Sequence, residues 1–233
     1  MRMQGTMQLD HLAFAAGPEG LDETTRRLGG QLGGRFVDGG FHPRFGTRNR
    51  ILPLAGGKYL EVVEVLDHPA ADKAPFGQAV RARSADGGGW LGWVVAVDDL
   101  APVEQRLGRT AVEGSRFTPD GSQLRWRQVG VKGLQSDPQL PFFVQWLSDP
   151  HQHPSVGGGD IALTRLEIAG DHGRVDEWLG GKIADTFLSS VHLETKIIAM
   201  TMVVAMCATQ FFTQKQLMAK NMPPDAMTGQ YAQ

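Results

Sequence analysis

Apolar and polar positions fall into short runs separated by glycine- and proline-rich turns, and the runs repeat. LDHLAFA (residues 9–15) is apolar enough for a buried strand, and Gly17-Pro18 ends it. Residues 19–32 carry Leu21, Leu28 and Leu32 at helical spacing, closed by glycines. After a Gly-rich turn, residues 48–54 predict a strand and Ala55-Gly56-Gly57 a hairpin turn. Residues 58–66 (KYLEVVEVL) predict a further strand, rich in β-branched and aromatic side chains.

The same order then returns. Residues 90–97 (WLGWVVAV) predict a strand, and Asp98-Asp99 cap a helix reaching about Leu107. Arg116 lies in a connecting segment that ends in the turn Pro119-Asp120-Gly121. Residues 123–129 (QLRWRQV) and 141–147 (PFFVQWL) predict strands, and His11 and Trp93 hold matching places 82 residues apart. A βαβββ unit leaves one face of a curved sheet bare, so two copies pack together. A third opening follows, a strand at residues 161–169 and a helix at 171–179, and there the pattern stops.

Composition adds a boundary. All 16 arginines lie at or before Arg174, all five tryptophans at or before Trp178, and 29 of 30 glycines at or before Gly181. Methionine is absent between Met7 and Met200, and six follow by Met227. This divides the chain into residues 1–181 and 182–233. Residues 197–212 form an uncharged stretch of 16 residues between Lys196 and Lys215, short of the roughly 20 a bilayer crossing needs. Membrane contact of this tail is therefore not favoured. A net charge of −2 argues against a nucleic-acid partner. Cys207 is the sole cysteine, which excludes an intrachain disulfide and Cys–Cys zinc motifs. With no signal-peptide pattern at the N-terminus, the expected setting is cytoplasmic.

LDHLAFAA (9–16), FGTRNRILPL (45–54), GKYLEVVEV (57–65), WVVAVDDL (93–100), PDGSQLRWRQV (119–129) and LPFFVQW (140–146) together resemble the glyoxalase-like branch of the vicinal-oxygen-chelate superfamily. The resemblance covers roughly residues 7–180. It implies an α+β fold in which paired βαβββ modules curl around one cavity, here with a truncated third module and a C-terminal hydrophobic helix. It also implies a small-molecule ligand and a divalent metal held by the first and last strands of each module. His11 and Glu61 match the first module's positions. In the second, Trp93 stands where a histidine is expected and Phe143 or Gln145 where a glutamate is. The expected cofactor is accordingly none, or a weakly held divalent metal.

Glu61 amid apolar neighbours is costly to bury unpaired, and Arg48, Arg125 and Arg127 are its candidate partners, structural or functional. Arg125 and Arg127 share one strand face, which is either a site for a substrate carboxylate or a solvated sheet face. The expected site is therefore His11 and Glu61 as catalytic groups, with Arg48, Trp93, Arg125, Arg127 and Gln145 on the substrate. His151 and His153 have the look of a metal-binding tract, but in a Pro-rich segment they read as exposed connectors. The tail's TQFFTQKQLMAKNMPPDA (209–226) and GQYAQ (229–233) resemble an internal piece of an actinobacterial membrane-protein insertase, which makes the sequence look chimeric. Three readings stay open. The first is an enzyme of lyase, isomerase or dioxygenase type acting on a small oxygenated metabolite. The second is a metal-free binding or sequestration protein. The third is a membrane-anchored or insertase-derived fragment.

Overall fold

β1 (Met7–Ala15) buries side chains on both faces, as a strand covered on both sides must. A computed structural model describes residues 7–181, all within the first of the two units into which the chain divides, 1–188 and 189–233. α1 (Gly20–Leu32) turns its Leu21 and Leu28 inward and ends at Gly33, whose φ of 69° suits a residue without a Cβ. β2 (Val37–His42), β3 (Thr47–Leu54) and β4 (Lys58–Val65) complete the first βαβββ unit. Two helices follow that periodicity did not reveal, α2 (Pro69–Lys73) and α3 (Pro75–Ala85), each opened by a proline in its first turn. The second unit is β5 (Gly89–Val97), α4 (Ala101–Leu107), β6 (Val112–Phe117), β7 (Gln123–Val129), the one-turn α5 (Gly133–Ser136) and β8 (Phe142–Trp146).

The eight strands close into a barrel in the order β1-β4-β3-β2-β6-β7-β8-β5. Each unit's first and last strands are parallel, β1 with β4 and β5 with β8, and the two units meet where β1 runs antiparallel to β5. The other seam is a single bridge between Phe41 on β2 and Phe117 on β6. Two apolar clusters divide the sheet's faces. Outside, Leu12, Leu60, Val62, Trp93, Val95 and Phe143 pack beneath Leu21 and Leu28 of α1 and Val103 of α4. Inside, Ala13, Val63, Val94, Trp126 and Val144 pack with Phe76, Ala79 and Val80 of α3.

Residues 161–169 are not the strand that opens a third module; they contain no strand. A closed barrel has no free edge to offer them. They run over the outer cluster instead, with Ile161, Leu163, Leu166 and Ile168 packed against it and the Ala55 N–H bonded to the Ile161 carbonyl at 2.9 Å. α6 (His172–Leu179), capped by the Asp171 side chain, adds Leu179 to the same cluster. The expected hydrophobic segment at 197–212 lies outside the described residues. Among the described residues no helix is long and apolar enough to cross a membrane.

Candidate functional site

A β-bulge in β1 builds the site. The β1–β5 register shifts between Leu9 and His11, leaving Asp10 as the extra residue. Such a bulge re-aims neighbouring side chains, and here it lets two consecutive residues touch. The Asp10 Oδ2 lies 2.7 Å from His11 Nδ1. The other carboxylate oxygen, Oδ1, accepts from Trp146 Nε1 at 3.0 Å and lies 3.1 Å from His153 Nε2. Burial by itself would raise the Asp10 carboxyl. The hydrogen bonds from His11 and His153 outweigh it and hold the group well below the usual carboxylate range. Asp10 is therefore ionised and accepts a proton-bearing Nδ1, which leaves His11 Nε2 as the lone-pair nitrogen when the ring is neutral.

That nitrogen lies 3.6 Å from Glu61 Oε2. Glu61 is buried on β4, where its Oε1 accepts from Asn49 Nδ2 at 2.6 Å and lies 3.9 Å from His42 Nε2. Tyr59, two residues earlier on the same face, stacks on the His11 ring with centroids 4.4 Å apart. Burial, reinforced by Asp10 and Glu61, keeps its phenol protonated. Burial and the nearby Arg116 charge push His42 down to about 3, so it is neutral at ordinary pH.

Arg116, from β6, brings a cation to the same place. Its side chain is 5% exposed, its Nη1 donates to Asn49 Oδ1 at 3.3 Å, and its Nε has no hydrogen-bond partner. It forms no ion pair with a carboxylate among the described residues, although Glu61 and Asp38 lie near enough to favour its charge. Gly39 leaves the room for this pair: a Cβ there would stand 2.2 Å from Asn49 Oδ1 and 2.8 Å from Arg116 Nη1. His11, His42, Asn49, Glu61 and Arg116 line a cavity of about 40 Å³, closed by Tyr59, Trp126, Gln128, Phe142, Val144 and Trp146. One water needs roughly 10–15 Å³ on this measure, so the space fits the reactive end of a small molecule.

Of the residues expected to form the site, the structure brings His11 and Glu61 together and places the other five elsewhere. Arg48 points outward to Glu64, with Nε and Oε2 2.6 Å apart. Trp93 lies in the outer cluster, and its Nε1 donates to the Gln139 carbonyl at 3.0 Å. Gln145 donates to the Asp98 carbonyl. Arg125 and Arg127 face away from the cavity, toward Glu113 at 3.7 Å and Glu104 at 3.1 Å. On β7 the inward residues are Trp126 and Gln128. His151 is exposed as expected, but His153 is not an exposed connector; it is bonded to Asp10. The structure adds Asp10, His42, Asn49 and Trp146, which patterning does not single out, and Arg116 and His153, which it places in connecting segments.

The four-ligand metal centre that the resemblance implies does not fit these residues. Opposite His11 stands Val94, and the inward position on β8 that corresponds to Glu61 on β4 is Val144. The Arg116 guanidinium shares the cavity. Among the described residues no group of three or more His, Cys, Asp or Glu side chains is arranged to hold a metal ion.

The model of a family described as the glyoxalase-like domain matches residues 9–182. The chain belongs to this family. No curated protein matches the glyoxalase-like chain. Among solved structures, a hypothetical protein from Staphylococcus aureus is 18% identical over 64% of this chain and 62% of its own, with a TM-score of 0.48. The chain thus spans about 62% of that protein's length. Methylmalonyl-CoA epimerase from Mycobacterium tuberculosis is 17% identical over 63% of this chain and 91% of its own, at 0.42. A Streptomyces coelicolor methylmalonyl-CoA epimerase in complex with 2-nitronate-propionyl-CoA is 17% identical over 60% and 98%, at 0.42. These likenesses are too distant to carry an activity across.

Proposed function

We propose that this glyoxalase-like chain is an enzyme of isomerase or lyase type that moves a proton on a small oxygenated anion. The observation that carries the reading is Arg116, a buried guanidinium with no carboxylate partner and an unused Nε, in the same cavity as the His11–Glu61 couple. A buried, unpaired cation is unfavourable, and a substrate carboxylate or enolate oxygen would relieve it. With the substrate's carbonyl oxygen on Arg116, His11 Nε2 takes the proton from the carbon beside that carbonyl, becoming the imidazolium, and either returns it itself or passes it to Glu61, 3.6 Å away, which delivers it. The electron pair left by the C–H bond moves onto the oxygen beside Arg116. Asp10 keeps the His11 lone pair turned inward. Tyr59, Phe142 and Trp146 exclude water.

The test is proton NMR in D₂O with 2-oxobutanoate and with small 2-hydroxyaldehydes. Protein-dependent loss of the proton next to the carbonyl, slowed by about 10²–10⁴ in His11→Ala, supports the enzyme. Saturable binding that needs Arg116 without any exchange would instead favour a binding or sequestration protein. Neither exchange nor Arg116-dependent binding would overturn both readings.

For residues 182–233 we propose, from their composition and the resemblance of their sequence, a stretch foreign in origin to the domain, in a chain that works in the cytoplasm. The family match ending at residue 182 supports the boundary. Alkaline carbonate extraction should release the full chain from membranes as readily as a version ending at Gly181. Retention of the full chain alone would make the tail an anchor.

A further inference from the structure

The Asp10 carboxylate is shared. One oxygen serves His11; the other takes Trp146 Nε1 at 3.0 Å and His153 at 3.1 Å. His153 comes from the segment after β8, 142 residues along the chain from His11, and is itself held. The Ser155 N–H donates to His153 Nδ1 at 3.2 Å, and the Ser155 hydroxyl lies 2.7 Å from the same nitrogen. An Nδ1 that accepts from a backbone N–H leaves the proton on Nε2, facing Asp10. The Trp146 indole meets the His153 ring edge-on, centroids 5.0 Å apart, so the two donors brace each other.

We propose that His153 and Trp146 are positioning residues: by fixing the Asp10 carboxylate, they set which nitrogen of His11 carries the proton and so turn its lone pair toward Glu61. The idea rests on the proton-transfer reading for its purpose, but its physical content is independent of any reaction. A carboxylate in a β-bulge has a free torsion about Cβ–Cγ. Two donors on Oδ1, from β8 and from the following segment, remove that freedom and leave Oδ2 aimed at His11 Nδ1. Asp10, His153 and Trp146 also line a groove of about 470 Å³, so His153 stands between that groove and the buried ring it steadies.

The test reads the His11 ring directly. Long-range ¹H–¹⁵N spectra of the full chain separate the two imidazole tautomers. Wild type should show His11 with the proton on Nδ1. His153→Phe removes one donor and should convert a readily measured fraction, a tenth or more, to the other tautomer. His153→Gln retains an N–H donor at that end and should restore the wild-type pattern. Trp146→Phe provides the second route should His153→Phe fail to fold. In the exchange assay the same donor losses should slow proton removal about tenfold, the scale of one lost hydrogen bond to a charged group. A His11 signal unchanged in both donor-lacking variants would overturn the proposal. Tautomer shifts as expected in a protein that exchanges no substrate proton would uphold the positioning role and strike the enzymatic reading alone.

Discussion

The two halves of the barrel share a chain path and differ on their inner faces. The first contributes His11, His42, Phe45, Asn49, Tyr59 and Glu61 to the cavity; the second contributes Trp126, Gln128, Phe142, Val144, Trp146 and a single cation, Arg116, and Phe76 comes from α3 between them. One half carries the cavity's two histidines, its carboxylate and its phenol. The other is a mostly apolar wall that raises the strength of every charge interaction inside it. A repeated fold therefore need not repeat its chemistry. The pseudo-equivalent pairs His11/Val94 and Glu61/Val144 show the asymmetry position by position.

The comparison breaks most sharply under substitution at Glu61. Glu61→Gln should slow proton exchange by about 10²–10⁴, the usual worth of a placed acid or base. Val144→Thr, in the corresponding place, should change it by less than about tenfold. NMR exchange rates for the two variants decide this. Equal losses would mean that the halves contribute alike.

The acid limb of stability should follow the first half as well. His42 is held at about 3 by burial and Arg116, against roughly 6.5 in an unfolded chain. Its folded pKa is depressed, so between those values the unfolded state binds one more proton, and stability falls as pH falls. The slope is about 1.4 kcal/mol per pH unit. Asp10, also depressed, adds to the loss below about pH 4. Urea midpoints at pH 7, 5 and 4 should fall in that order, and His42→Gln should flatten the stretch from 6 to 4. A slope unchanged by His42→Gln would remove that residue as its source.

Much of this architecture is legible in the chain's patterning, and the failures have two causes. The strands predicted at 48–54, 58–66, 90–97, 123–129 and 141–147, from alternation or from apolar and β-branched runs, all formed close to where the sequence places them. β2 and β6 did not announce themselves, because VDGGFH and VEGSRF carry glycines where strands favour bulk. The glycines answer to side chains on the neighbouring strands, at Gly39 against Asn49 and Arg116, and at Gly114 against the Trp126 indole. Missing those strands hid His42 and Arg116. The choice of Trp93 and Gln145 failed differently. A one-residue slip exchanges the faces of a strand, and the bulge at Asp10 with the second shift between Ala13 and Phe14 are such slips. Periodicity alone cannot see them.

Those two glycines sharpen the contrast at a smaller scale. A Cβ at Gly114 would lie 2.3 Å from the Trp126 ring, a large side chain already fixed by its bond to Gln128 at 2.7 Å. Gly114→Ala should therefore cost about 1–3 kcal/mol of stability, the scale of an overpacked core. At Gly39 the obstructing atoms belong to Asn49 and Arg116, which would be displaced. Gly39→Ala should accordingly weaken binding of a carboxylate probe such as 2-oxobutanoate by roughly tenfold, since a charged hydrogen bond is worth about 1.5–3 kcal/mol. Thermal melts and titration calorimetry on both variants separate the effects. A Gly39 variant that binds normally would remove the Asn49–Arg116 pair from the ligand's surroundings.

The smallest effect belongs to Arg125 and Arg127, which chemistry alone had recommended as the anion site. Alternation along β7 sends Trp126 and Gln128 into the cavity and these two outward. Arg127 Nη2 meets both Glu104 oxygens at 3.1 Å, and Arg125 lies 3.7 Å from Glu113 on an exposed face. Such pairs contribute about 0–1 kcal/mol, less as salt is added. The double substitution to alanine should thus leave carboxylate affinity within about threefold of wild type, where Arg116→Gln weakens it by about 10–100-fold, the range that loss of one charged hydrogen bond spans. Calorimetry on the two proteins under the same buffer makes the comparison. If the double variant loses as much affinity as Arg116→Gln, the ligand is held outside the barrel, and the division between a reactive half and a walling half no longer describes where this chain binds.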